Sequence, residues 1–260
     1  MGWLWLDRLR MNAMKSRTSW GNVVINAIEL EGLEPIYVAG TSQDITKPDK
    51  PILTSSTHRT IEFFLKHLYS ATVIGSVAPK GTNISSNASR FATRGVDAES
   101  NSILNKNSYF DEKDEGSQIG AFRHVLWQAI IRKQLGYNIA KEAGDAHEEN
   151  PNTDLTKRIF DANQIADADQ VVDLLNNKIG REIGRKNPNS STKNLALKTL
   201  EAYREIGFYS FIKNDNGMIE IIRTKITEEQ YDQLKTRINE LDNTGKTQEE
   251  VKADKPNIKT

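Results

Sequence analysis

The sequence predicts a mainly α-helical fold: a multi-helix bundle with a small C-terminal β-hairpin and a partly extended N-terminal segment. Three observations carry this expectation. Apolar residues recur at spacings of three and four, as in Phe122, Leu126 and Ile130, or Val172, Leu175, Ile179 and Ile183. Strong breaks separate these runs at Gly136, Asn150-Pro151-Asn152 and Asn187-Pro188-Asn189. Two β-branched runs flank Asn214-Asp215-Asn216-Gly217, and Asn-Gly is a strong hairpin signal.

Taken in order, residues 1–15 place Trp3, Leu6, Leu9 and Arg10 near one face, which suits an apolar turn docking on the body better than a free amphipathic helix. Val23–Leu30 and Pro35–Ala39 read as short extended runs. Thr41–Ser56 is polar, and Pro48 and Pro51 block helix, so it reads as a linker. Ile61, Phe64, Leu65, Leu68 and Tyr69 predict a helix over Thr60–Ile74, capped by Ser55, Ser56 or Thr57. His58 and His67 are read there as ordinary polar or capping residues. Val77–Asn107 reads as loop, and Asp111–Gly116 as an acidic entry to the next helix, where carboxylates are favourable.

The first central helix is expected over Ser117–Leu135, with a second starting near Tyr137 after Gly136. Leu155, Ile159 and Phe160 suggest a third helical segment, Asp154 to about Asn163. A fourth starts near Asp167, and a fifth is capped by Ser191 or Thr192 and ends at Gly207. The hairpin follows. Thr227 and Gln230 then fit a capping box for a last helix, Tyr231–Leu241. This organisation divides the chain into residues 1–90, a helical domain 91–242, and a disordered tail 243–260.

Composition narrows the function classes. The 260 residues carry 35 Lys+Arg and 35 Asp+Glu, so zero net charge gives no bulk electrostatic reason to expect nucleic acid or an anionic membrane surface as a partner. Hydrophobic content of 37% and mean hydropathy of −0.60 lie on the polar side for a globule. Cysteine is absent, which excludes thiolate nucleophiles, disulfides and zinc–thiolate sites. No stretch approaches the roughly 20 apolar residues of a transmembrane segment. The start lacks a basic region followed by a long apolar run, so no cleavable signal peptide is expected.

Three polar clusters between Gly120 and Arg181 carry the candidate chemistry. They are Ala121-Phe122-Arg123-His124, Gly144-Asp145-Ala146-His147-Glu148, and the segment Asp173–Arg181. On a helix, His124 and Gln128 share one face, and Asp173, Asn177 and Arg181 step by four into a polar line. Asn176 and Gly180 form a neighbouring line, where the glycine admits a close helix or ligand. Imidazoles and carboxylates serve as general acids and bases, and they also suit first-row divalent metals. The ligand spacing does not by itself call for a metal: no His-Glu-x-x-His, Gly-x-Ser-x-Gly or Walker loop occurs. Asn and Arg donors suit an anionic group, since the guanidinium fork binds two oxygens. The competing reading is a buried hydrogen-bond network that pins the helices together.

The series Gly-Ala-Phe-Arg-His-x-x-Trp-Gln-Ala, Asp-Ala-His-Glu and Asp-Leu-x-Asn-Asn-x-x-Gly-Arg resembles an uncharacterised bacterial helical domain family, over about residues 90–225. That family is found at the C-terminal ends of polymorphic toxins and secreted, effector-like proteins. The matching positions are Arg123, His124, Trp127, Asp145, His147, Glu148, Asp173, Asn176, Asn177 and Arg181. The resemblance implies an antibacterial effector-type toxin of interbacterial competition, with residues 1–90 a docking or delivery segment. Its implied partners are a cognate immunity protein and a component of a secretion apparatus. The expected activity is hydrolysis of a cell-envelope substrate, with phospholipid or lipid-linked phosphate ahead of peptidoglycan. His124 or His147 would be the base, with Glu148 or Asp145 as orienting partner or metal ligand. Arg123, Gln128, Asp173, Asn176, Asn177 and Arg181 would bind substrate. The expected location is the target-cell periplasm, reached without a cleavable signal peptide; otherwise the protein is cytoplasmic. The alternative is a non-catalytic binding module with a structural polar network.

Overall fold

A computed structural model describes residues 56–78, 80–97, 104 and 116–254. The chain divides into two compact units, Met1–Leu53 and Thr54–Thr260. The expected turn at 1–15, both extended runs, nearly all of the 41–56 linker and residues 111–115 of the acidic entry lie outside the described residues. Described residues 56–90, which the expected organisation grouped with the N-terminal segment, fall in the second unit.

Within that unit, α1 (Ser56–Lys66) and α2 (Leu68–Ile74) replace the single helix expected at 60–74, which His67 interrupts. The 77–107 stretch is not all loop. Asn83 accepts a bond from Ser86 N and starts α3 (Ile84–Arg90), which continues as a π-helical segment, Phe91–Asp97. Ser85, Ser86 and Asn87 looked like loop composition but are buried. Ser85, for example, accepts from Trp127 Nε1 at 3.1 Å.

Next come α4 (Gln118–Leu135), capped by Ser117, and α5 (Tyr137–His147), separated at Gly136 as expected. The third helical segment is absent. Asp154 instead bonds Thr156 N and Oγ1 at 2.8 and 2.7 Å, a local turn that competes with helix. Ile159–Phe160 then pairs as a short strand, β1. Helix α6 (Ile165–Lys186) and Ser191-capped α7 (Thr192–Glu205) follow. The hairpin of β2 (Phe208–Lys213) and β3 (Ile219–Thr224) turns at Gly217, φ +76°. With β1 it makes an antiparallel sheet of order β1-β3-β2.

Helix α8 (Glu228–Glu240) has the expected Thr227/Gln230 capping box. The 243–260 tail was expected to be disordered, yet Asp242 accepts from Thr244 N and Lys246 N, and α9 (Gln248–Ala253) has its own Thr247/Glu250 box. Capping residues that read as polar tail composition are what build this last turn and helix. Among the described residues, no helix is long and apolar enough to cross a membrane.

Helix α4 is the axis of the unit. Nearly every residue from Ile119 to Ile131 is buried, so it has no solvent-facing polar side, and its histidine and glutamine lie in the interior. Its main partner is α6. A Cβ at Gly180 would collide with the Val125 carbonyl oxygen, and one at Gly184 with that of Ala129. These two glycines let the helix backbones approach directly. The hairpin closes the other side of α6, where Phe160, Val171, Val172, Phe211, Ile219 and Ile221 form an apolar cluster.

Candidate functional site

Because α4 is buried all round, whatever polar groups it carries must meet groups on its neighbours. His124, from its middle, faces Asp173 of α6, with Nε2 3.2 Å from Oδ2. The last turn of α5 brings His147 alongside, its ring centroid 5.9 Å from His124 and 5.9 Å from Trp127. Glu148, the residue that ends α5, turns inward and is buried. One donor atom from each of His124, Glu148 and Asp173 lies within 4.8 Å of the other two. A neighbouring pair completes the floor: Arg181 Nη1 donates to Gln128 Oε1 at 3.2 Å, both side chains buried. A Cβ on Gly144 would strike Gln128 Nε2, so the glycine is what admits that amide.

The electrostatics follow from burial. His124 is pushed well below the ordinary imidazole range by its burial first, then by the charges of Arg123 and His147; a hydrogen-bonding contact with Asn177 works the other way. His147 is pushed down to about 4, by enclosure and by Arg123. It keeps some solvent-accessible surface, as do Arg123 and Asp173, and these three mark the rim of the junction. Both imidazoles are therefore neutral at neutral pH. Glu148 moves the other way, held well above the usual carboxyl range by burial and by the nearby carboxylates of Asp169, Asp145 and Glu149, with Arg59 opposing.

Not every expected site residue joins this group. The Asp145 carboxylate pairs with Lys141 one turn back on α5, so it orients neither histidine. Asn176, expected to bind substrate, bonds the Tyr209 backbone at both ends, donating to its carbonyl at 2.8 Å and accepting from its N–H at 2.9 Å. It secures the outer edge of β2, where backbone groups would otherwise be unpaired. Its neighbour Asn177 does point toward the site and is buried. Buried atoms here that have no hydrogen-bond partner include Gln128 Nε2, Glu148 Oε1 and Asn177 Nδ2.

Two residues of the site were missed. Asp169 lies one turn before Asp173 on the same face of α6, so extending the four-residue line backward would have found it. Arg59 of α1 donates to the carbonyls of Asp145, Glu148 and Glu149, while Thr60 Oγ1 reaches that of Ala146 at 3.2 Å. Together they satisfy the orphan carbonyls at the end of α5 and so hold His147 and Glu148 in place. No local sequence signal marks a contact across such a separation.

Residues 83–206, from the start of α3 to the end of α7, match the model of a domain family of unknown function, DUF6973. No curated protein and no solved structure matches the chain. All of the residues named at the α4–α5–α6 junction except Arg59 and Thr60 lie inside the matched span.

Proposed function

We propose that the α4–α5–α6 junction is the catalytic centre of a hydrolase and that the protein acts as an antibacterial effector on the cell envelope. The observation that supports this is the convergence of His124, His147, Glu148 and Asp173 in one enclosed place whose hydrogen bonding is incomplete. A network kept only to hold helices together would have its buried polar atoms paired. Here some are not, and a bound group would complete them.

His147 is the base in this reading. It is neutral at neutral pH and sits at the rim, where water and substrate arrive. Arg123 is the rim cation that would meet an anionic group, with Arg181 behind it in the floor. A phosphate-bearing lipid, either phospholipid or lipid-linked phosphate, suits this arrangement ahead of peptidoglycan. The balance of 35 cationic and 35 anionic residues lacks the surplus that nuclease surfaces use to gather phosphate backbones. In that setting the partners are a cognate immunity protein and a secretion-apparatus component, and the site of action is the target-cell periplasm.

The test is growth of bacteria expressing the chain in the cytoplasm or exported to the periplasm. The expected result is inhibition on export, with envelope damage and intact nucleic acid, abolished by His147→Ala. Cytoplasmic killing with degraded DNA or RNA would replace the substrate class. Full toxicity of a His124→Ala/His147→Ala double variant would remove the site. No toxicity in either compartment would leave the binding-module reading in its place.

A further inference from the structure

We propose that His124, Glu148 and Asp173 form a binding site for a divalent cation of the zinc class. The three side chains come from three elements, α4, the end of α5, and α6. Their donor atoms already lie within 4.8 Å of one another. Two ligands bonded at about 2.0–2.1 Å to a tetrahedral ion stand about 3.3 Å apart. His124 Nε2 and Asp173 Oδ2 are 3.2 Å apart, so this edge of the coordination shell needs almost no adjustment.

Glu148 supplies the independent observation. Its side chain is buried, it reaches into the cluster, and its Oε1 has no hydrogen-bond partner. A buried carboxyl oxygen left without a partner is costly, and a cation bound there would satisfy it. The surroundings are also suitable. The carboxylates of Asp169, Asp145 and Glu149 act on Glu148, opposed by Arg59. Asp173 remains 14% exposed on its side chain, which leaves an entry path from the rim.

One imidazole and two carboxylates form a donor set that zinc and its first-row neighbours accept without thiolates, and three protein ligands leave a position for water. The His147 ring stands nearby, 5.9 Å from that of His124. Catalytic use of the ion rests on the hydrolase reading above; its binding does not.

The experiment uses the full chain, stripped with EDTA and dialysed. Zinc chloride is titrated calorimetrically, bound metal is counted by mass spectrometry, and cobalt(II) is added to read coordination from its visible absorption. One ion per chain is expected, with cobalt giving the intense bands of a four-coordinate site. Glu148→Gln and Asp173→Asn keep shape and should each weaken zinc by about 100-fold or more, beyond what second-shell changes produce. Glu142→Gln alters the pair with His67, a histidine–carboxylate contact away from the three ligands, and should leave binding unchanged. No bound zinc in the wild type, or zinc held equally by all variants, overturns the site. Toxicity without stoichiometric metal would sink the ion and leave the hydrolase. Stoichiometric metal in a chain that is harmless in both compartments would do the reverse.

Discussion

Asn176 and Asn177 are neighbours on one helix, both fully buried, yet they serve opposite ends. Asn176 faces the hairpin, and both ends of its amide are bonded to Tyr209. Asn177 is turned toward α4, where its Nδ2 has no partner and its influence falls on the His124 ring. A rotation of about 100° along the helix separates a completed polar contact from an incomplete one. The lesson is that burial of polar groups does not distinguish framework from function. Completeness of their hydrogen bonding does, and it divides α6 lengthwise into a structural face and a candidate functional face.

The largest effect expected from that division is on activity. Removing a positioned general base commonly lowers rate by about 10²–10⁴-fold. His147→Ala should therefore abolish growth inhibition in the exported protein while the thermal midpoint stays within the shift of about 1 kcal/mol typical of a rim substitution. Thermal denaturation of the purified variant beside the growth assay checks both. A variant that loses toxicity because it unfolds would move His147 to the framework side.

The asparagine pair gives the next effect. Asn176→Leu leaves the Tyr209 N–H and carbonyl without partners on a partly buried edge, which should cost about 2–4 kcal/mol by denaturant unfolding. Asn177→Leu gives up the contact with His124 and an amide nitrogen that has no partner, so it should cost clearly less stability than Asn176→Leu, while activity falls. Equal losses from the two substitutions would erase the distinction between the two faces.

Much of the framework face could be read from the sequence, because local chemistry declares it. Ser191 and Thr227 are caps where caps were expected, α4 begins within a residue of its expected start, and the Asn-Asp-Asn-Gly turn is where the hairpin turns. The misreadings have tertiary causes. Ile159–Phe160 pairs with β3 instead of extending a helix, since a strand partner distant in sequence outweighed a weak periodicity. The buried serines of α3 looked like loop because sequence cannot show that Trp127 waits for one of them. At the site, the His124–Gln128 and Asp173–Asn177–Arg181 faces followed from helical spacing. The inward turn of Glu148 and the different tasks of the two asparagines depend on which helices meet, and no local pattern carries that.

A smaller effect is a pH dependence of stability in the metal-free chain, with EDTA present. His147 is neutral in the fold down to about 4, whereas the unfolded chain protonates it near the ordinary 6.5. As pH falls from about 6.5 toward about 4, the unfolded state binds a proton that the fold refuses, so stability is lost. His124, also lowered, adds in the same sense. Glu148 is raised, so its contribution is lost as pH rises above the ordinary 4.5, partly cancelling the histidines. Urea midpoints should therefore rise from pH 4.5 to 6.5. His147→Gln should flatten that rise by about one proton's worth, about 1.4 kcal/mol per pH unit. An unchanged slope would mean that His147 titrates alike in both states.

The smallest effect belongs to the second histidine–carboxylate contact, His67 with Glu142, which serves as the exposed counterpart of His124 with Asp173. Here Nε2 stands 2.9 Å from Oε2, and Lys66 donates to the same oxygen at 3.0 Å. The hydrogen bond from His67, then that from Lys66, holds Glu142 below its ordinary range, with its slight burial opposing. A depressed carboxyl contributes stability above its unfolded value and loses it as pH falls through the folded one, so this term fades below about pH 4.5. Water screens the pair, and exposed ion pairs measure about 0.2–1 kcal/mol. Glu142→Gln should therefore shift unfolding by less than about 1 kcal/mol at pH 7, and the shift should shrink in high salt and as pH falls below about 4.5. It should leave growth inhibition untouched, because the pair ties the junction of α1 and α2 to α5 and lies outside the histidine junction. A loss of toxicity from this variant, with stability intact, would show that the tie between these helices and α5 governs the site, and would extend the functional face beyond α6.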